Sequence, residues 1–192
     1  QEVTLLSHLR SPLLILFLSS FMITFMIGGI DAVLALFTSE RLGFSSAEVG
    51  LVFTYIGVLI MVMQVSAGKL INRFGETRLI PVGLLLSGAG FFLLQFADSW
   101  AFLLPPLAVF VAGNALVFPS VSSLITKRVV GKRGAVLGLD GSFKSAGQMV
   151  GPLLAGFLYG LNPVWAFFGL ALCIAVYAAV FVAVSPKFSA SA

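Results

Sequence analysis

Residues 12–37 read PLLILFLSSFMITFMIGGIDAVLALF, an apolar run interrupted by a single charge, Asp31. An α-helix needs about 20 apolar residues to cross the hydrocarbon core of a bilayer, and this run exceeds that length. Five further apolar segments follow at residues 49–68, 79–97, 99–126, 134–160 and 163–184. The pattern predicts an all-α integral membrane protein whose six transmembrane helices form a single bundle over residues 1–192.

Composition supports a membrane protein and excludes several functional classes. Of the 192 residues, 59% are hydrophobic and 9% are charged, whereas about a quarter of an ordinary soluble domain is charged. The net charge of +4 arises from basic residues in short connectors, so it reports membrane topology and predicts no nucleic-acid partner. The chain has no phosphate-binding glycine loop, nucleophile elbow or cluster of metal ligands, and Cys173 is its single cysteine. We therefore expect no enzymatic activity, no cofactor and no metal site.

The basic residues predict the orientation of the helices. Nine of the eleven Lys and Arg residues lie at the two termini and in the connectors between helices two and three and between helices four and five. The alternate connectors hold only Arg41, and Lys144 lies inside a span. Because cytoplasmic connectors carry the excess of positive charge, both termini are predicted to be cytoplasmic in a multi-pass protein of the plasma (inner) membrane. The nine residues are Arg10, Lys69, Arg73, Arg78, Lys127, Arg128, Lys132, Arg133 and Lys187.

Glycine and proline mark the ends and contact faces of the helices. Gly160, Asn162 and Pro163 separate the last two segments. In the fourth segment, Pro105, Pro106 and Pro119 predict a kink or a late start. Close van der Waals contact between small residues holds helices together in lipid. A packing face is therefore expected on the fifth helix, formed by Gly147, Gly151, Pro152, Gly156 and Gly160.

Three charged residues lie within the predicted spans: Asp31, Asp140 and Lys144. A charge at the centre of a span costs about 2.5–3.5 kcal/mol, so such residues face protein or a water-filled cavity and often mark a transport path. Asp140 and Lys144 are four residues apart, a spacing that allows an intrahelical ion pair. Two interpretations remain open: a self-neutralised pair, or a cation that attracts an anionic substrate.

Asp31 is expected in the outer half of the membrane, because it lies about 28 Å along its helix from Pro12 at 1.5 Å per residue. The same geometry places it roughly 13 Å from the height of Lys144, so no direct salt bridge between the two is expected. A buried carboxyl group without a charged partner suits reversible protonation. We therefore take Asp31 as the candidate for proton coupling; the alternative is a hydrogen bond to a neighbouring helix.

The remaining polar side chains favour a cavity that is lined by helices one, two, four and five. Besides the three charges, the candidates for the cavity are Tyr55, Gln64, Asn114, Ser142 and Gln148. An apolar substrate wall could be formed by Phe21, Phe25, Phe53 and Phe118.

Two motifs resemble those of a known transporter family. Residues 68–75, GKLINRFG, resemble the loop signature G-x-x-x-D-R-x-G of the major facilitator superfamily. Residues 147–156, GQMVGPLLAG, resemble the G-x-x-x-G-P-x-x-x-G stretch of its drug–proton antiporter branch, which includes multidrug and quinolone efflux pumps. The resemblance implies the C-terminal half of such a transporter, with two inverted three-helix repeats and helices three and six outside the cavity. It also implies an N-terminal six-helix half as partner.

The chain departs from the family pattern at three positions. Asn72 stands where the loop signature has Asp, and Glu76 stands where a basic residue is usual. Ala115, four residues before Pro119, stands where related pumps have a second acid, so a site with two carboxylates is not expected. The loop residues are expected to serve either in gating or as topology anchors. Gly68 and Gly75 permit a tight connection, while Lys69, Arg73 and Arg78 face an anionic leaflet and the carbonyls of helix C-termini. Asn72, which replaces the acid of the signature, argues against a charge-based gating role.

These observations predict half of a secondary transporter that exports amphipathic or drug-like molecules in exchange for protons. A first alternative is a transporter of a small anionic metabolite with Lys144 as the counter-charge. A second is a non-transporting membrane subunit or assembly factor that keeps half of the fold. In each case the lipid bilayer surrounds the chain, and in the first two a small molecule is the substrate.

Overall fold

The structure, a computed structural model, describes residues 13–128 and 133–184. The predicted topology anchors Arg10, Lys132 and Lys187 lie outside these ranges. The described residues form six α-helices, and a short 3-10 turn, Leu94–Phe96, follows the third. The helices are α1 (Leu13–Leu42), α2 (Ser46–Phe74), α3 (Glu76–Leu93), α4 (Trp100–Arg128), α5 (Arg133–Leu161) and α6 (Pro163–Val184).

Five of these helices, α1, α2, α3, α4 and α6, are long and apolar enough to cross a membrane. Helix α5 has the length but not the mean hydropathy, because its sequence includes Asp140, Lys144 and Gln148 among its apolar residues. Several helices extend beyond the apolar segments: α1 continues past residue 37 to Leu42, and α2 continues past residue 68 to Phe74.

Local interactions explain where the helices begin and end. Ser45 caps α2 in a capping box, in which its hydroxyl accepts from the backbone N–H of Glu48 while the Glu48 carboxylate accepts from Ser45 N–H. Gly75 is the single residue between α2 and α3, and its φ of 80° is a conformation that favours glycine. Asn162 separates α5 from α6 as predicted, and its side-chain oxygen accepts from Val164 N–H at 2.9 Å.

The prolines of α4 are accommodated inside the helix. Helix α4 begins at Trp100, before Pro105 and Pro106, so the predicted late start is wrong. The backbone N–H groups of Phe102 and Leu103 donate to the carbonyl of Ser99, which closes the first turn. Pro105, Pro106 and Pro119 lie beyond this first turn, and each lacks the N–H that would donate to the carbonyl four residues earlier.

The helices pack as two close pairs that share a common core. Helix α1 lies along α5, and α3 lies along α4, while α6 packs against α3 and α5. Aromatic rings join these pairs: Phe167 of α6 contacts Phe37 of α1 and Phe91 of α3 at ring-centre distances of 5.0 and 5.3 Å. All three rings are buried. Helix α2 packs mainly against α4, and only Val52 and Ala67 along its length are buried.

Candidate functional site

A cavity of about 560 Å³ lies between α1, α2 and α4. Its wall is largely apolar, and a few polar side chains interrupt it, as is usual for small-molecule sites. No residue of α3, α5 or α6 lines this cavity, so the expected contribution of α5 is absent. The lining residues are Ile27 from α1; Ile60, Gln64 and Gly68 from α2; and Val111, Asn114, Ala115, Phe118, Pro119 and Ser122 from α4.

Asp31 lies one helical turn beyond Ile27, on the same face of α1 as that cavity-lining residue. Its side chain is exposed in this chain, so the expectation that Asp31 is buried is wrong for these six helices taken alone. The reason is that the face of α1 carrying Ile27 and Asp31 is turned away from α5, which covers the face containing Gly28 and Gly29.

Two of the five predicted polar residues line the cavity and three, including Ser142, do not. Gln64 and Asn114 are both in the wall, and the Asn114 amide also donates to the carbonyl of Phe110 at 3.0 Å. Tyr55 lies outside the lining and donates its hydroxyl to the carbonyl of Leu104, which ties α2 to α4. Gln148 is exposed on α5 and is not in the lining. Tyr55 on α2 and Gln148 on α5 therefore do not line this cavity.

Asp140 and Lys144 form the ion pair that their spacing allows, with 2.7 Å between Lys144 Nζ and Asp140 Oδ2. Asp140 is almost fully buried, with 5% of its side chain exposed, whereas 25% of the Lys144 side chain is exposed. The Lys144 ammonium also lies 4.8 Å from the ring centre of Phe118, a favourable cation–π distance. Because Phe118 lines the cavity, the cation is one side chain away from the cavity space.

Asp31 and Lys144 are far apart along the axis of α1 and α5. Phe17 of α1 stacks on Phe143 of α5 at 5.5 Å, which sets the two helices in register. Asp31 lies fourteen residues beyond Phe17, roughly 21 Å along α1 at 1.5 Å per residue. No ion pair joins Asp31 to Lys144 among the described residues, in agreement with the sequence-based expectation.

Of the four phenylalanines considered for a substrate wall, only Phe118 lines the cavity. Phe25 is buried in the contact between α1 and α5, where its carbonyl meets Gly151, and Phe21 stacks on it at 5.9 Å. Phe53 is partly exposed on α2, outside the cavity lining. The periodicity of the sequence could not separate rings that face the cavity from rings that pack helices together.

The glycines of α5 differ in their surroundings. A Cβ atom on Gly147 or Gly151 would overlap backbone oxygens of Phe21 or Phe25, so α1 and α5 touch at these positions. Pro152 packs beside Gly28 of α1. A Cβ on Gly156 would meet nothing within 4 Å, so the predicted close contact at Gly156 is absent. The same holds for Gly160, because the buried face of α5 continues through Ala155 and Tyr159, one residue away around the helix.

The motif at residues 68–75 is helical except for its last residue. Gly68, Asn72 and Arg73 belong to α2, and Arg78 lies in the first turn of α3. Gly75 alone makes the tight connection, so the expectation that Gly68 helps to form it is wrong; Gly68 instead lines the cavity. Arg73 lies over the ring of Phe74 at 5.4 Å, and Asn72 is exposed.

A polar cluster that the sequence analysis did not assign joins α3 to α4 at the same end. Glu76, the first residue of α3, pairs with Lys127 and accepts a hydrogen bond of 2.9 Å from the hydroxyl of Ser123. The sequence feature that could have indicated this contact is the acid at position 76, where the loop signature that this motif resembles usually continues with a basic residue. Its partner could not be identified from sequence, because Lys127 is 51 residues away.

Comparisons with known proteins agree with this architecture. The family model described as Major Facilitator Superfamily matches residues 16–191. Multidrug resistance protein 2 of Bacillus subtilis is 28% identical over 151 residues, which cover 77% of this chain and 37% of that protein. The class B tetracycline resistance protein of Escherichia coli is 30% identical over 145 residues, which cover 73% and 36%. The chain thus spans less than half the length of these relatives.

Among solved structures, the crystal structure of the human organic anion transporter MFSD10 (TETRAN) matches with a TM-score of 0.75 and 27% sequence identity. The match covers 90% of this chain and 39% of that one.

Proposed function

Since the chain belongs to the major facilitator superfamily, we propose that it forms one six-helix half of a secondary transporter that exports amphipathic or drug-like molecules in exchange for protons. The family relationship points to transport rather than to enzymatic catalysis, and relatives that confer multidrug and tetracycline resistance support export. In this proposal a second six-helix half completes the transporter, and the two halves rock around a site near the membrane midplane.

The cavity between α1, α2 and α4 is the observation that carries the proposal. Its apolar wall suits the hydrophobic part of an amphipathic molecule, while Gln64, Asn114 and Ser122 supply hydrogen-bonding groups. A volume of about 560 Å³ is in the range of drug-sized ligand sites. The second half would close the exposed side of this space.

In this proposal Asp31 is the proton-coupling group. It stands on the cavity side of α1, one turn from Ile27, and no hydrogen bond or ion pair engages it among the described residues. A carboxyl group at an open face can exchange protons with water in one conformation and be covered by the second half in the other.

The proposed placement is a multi-pass protein of the plasma (inner) membrane with both termini cytoplasmic. Support comes from the basic side chains that gather where α2 meets α3 and where α4 ends. All six helices cross the membrane in this arrangement, with α5 inserted through its contact with α1 despite its lower hydropathy.

A second candidate function is transport of an organic anion, with Lys144 as the counter-charge. Its support is the position of the Lys144 ammonium against Phe118 in the cavity wall. The structural relative is described as an organic anion transporter, which agrees with this candidate.

The test is export by the transporter, completed with its second half, in vesicles that carry an imposed proton gradient. We expect gradient-driven export of tetracycline, and loss of its proton dependence in Asp31→Asn. The matched control is Asp98→Asn, since Asp98 is an exposed acid in the connector between α3 and α4. Undiminished proton dependence in Asp31→Asn would refute the assignment of Asp31. A protein that moves no solute but remains bound to another membrane complex would support an assembly role instead.

A further inference from the structure

The Asp140 carboxylate is only half satisfied, although it is almost fully buried. Oδ2 pairs with Lys144, but Oδ1 has no hydrogen-bond partner among the described residues. A buried ion pair is costly to form and strongly destabilised when one partner leaves, because the remaining charge is then uncompensated. The carboxylate of Asp140 therefore depends on the ammonium of Lys144.

Lys144 has a second candidate partner, an anion in the cavity. Its ammonium lies 4.8 Å from the ring centre of Phe118, and Phe118 is one of the residues that line the cavity. A lysine carries its charge on a flexible four-carbon stem, so it can follow an anion into the cavity without movement of the backbone. A substrate carboxylate in the cavity would then compete with Asp140 for the same ammonium.

We propose that an organic anion replaces Asp140 on Lys144 and that Asp140 takes up a proton in the same event. The step is balanced: the Asp140 carboxylate accepts one proton from water, and the Lys144 ammonium exchanges one carboxylate partner for another. Proton and anion therefore bind together at this site. The inference rests on the cavity being the substrate site, as proposed above, and it extends the second candidate function.

Other charged groups on the neighbouring helices do not offer a replacement partner for Asp140. On α1, the acids Asp31 and Glu40 lie many turns outward from the level of Phe143. On α6 the Tyr177 hydroxyl is engaged by Ser19 and donates to the carbonyl of Ile15. The remaining titratable or charged groups of these packed helices are Arg41 on α1, Cys173 on α6, and Lys127 and Arg128 at the end of α4.

The experiment measures proton uptake when a simple organic anion binds to the full-length transporter. Benzoate is the probe, and benzamide, which has a similar shape without the charge, is the matched control. In weakly buffered solution with a pH indicator, we expect one proton taken up per benzoate bound, and none with benzamide. Infrared difference spectra should show a neutral carboxyl band on addition of benzoate, and Asp140→Asn should remove both the band and the proton uptake.

Further measurements distinguish failure of this inference from failure of the proposed export. Lys144→Gln should abolish benzoate binding, whereas Asp98→Asn should leave the carboxyl band unchanged. Benzoate binding without proton uptake, absence of any benzoate response, or a carboxyl band that persists in Asp140→Asn would overturn the inference. The comparison of benzoate with benzamide on the unmodified protein needs no variant to fold. Failure of the proposed export would appear as absent tetracycline transport. That assay uses neither benzoate nor an Asp140 variant.

Discussion

Gly151→Ala is expected to force α1 and α5 apart. A methyl group at this position would overlap the carbonyl oxygen of Phe25, and it would lie 3.0 Å from the carbonyl carbon of Phe25 and 3.1 Å from Gly29 N. These atoms belong to the backbone of a helix, so no side-chain rotation can relieve the overlap. Overpacking a well-filled interior costs about 1–3 kcal/mol, and we expect the upper part of this range here.

Gly156→Ala is the matched control because it lies on the same helix and a Cβ there would meet nothing within 4 Å. Alanine is favoured over glycine inside a helix by about 1 kcal/mol, so this variant should be more stable than the unmodified protein. Gly151→Ala gains the same helix propensity, so the two variants should differ by the overpacking cost alone, about 1–3 kcal/mol in the free energy of unfolding.

Thermal unfolding in detergent micelles, followed by helical circular dichroism, would measure the difference. A chain of this length shifts its Tm by about 2–4 °C per kcal/mol, so the two Tm values should be separated by roughly 2–12 °C. Equal Tm values, or a Gly151→Ala variant more stable than Gly156→Ala, would show that α1 and α5 do not meet through this glycine face.

Other contacts lead to smaller effects that the same unfolding measurement can test. Glu76→Gln should lower stability by about 0.5–1 kcal/mol, since it removes a partly exposed pair with Lys127, and high salt should shrink this loss; an effect independent of salt would contradict the electrostatic explanation. Tyr177→Phe should cost about 1 kcal/mol through the lost hydrogen bonds to α1, and no loss of stability would argue against that contact. Ser45→Ala should also cost about 1 kcal/mol by removing the hydroxyl that caps α2, and unchanged stability would argue against this cap.

The candidate site could be predicted from sequence only in part, and the reason lies in the periodicity of helices. The spacing of Asp140 and Lys144 is local information, so the ion pair follows from the sequence. Which face of each helix turns toward the cavity depends on how the helices rotate against one another. For that reason Gln64 and Asn114 line the cavity, whereas Tyr55, Ser142 and Gln148 do not, although all five had been considered for it.

The sequence by itself determined the membrane class, the existence of the helices and the breaks at Gly75 and Asn162, because hydrophobicity and helix-ending residues act locally. Tertiary structure alone decided that Asp140 is buried while Asp31 is exposed, that Phe118 brings Lys144 to the cavity, and that Glu76 reaches Lys127. Each of these depends on packing between residues distant along the chain. A local apolar pattern in the sequence does not identify such partners.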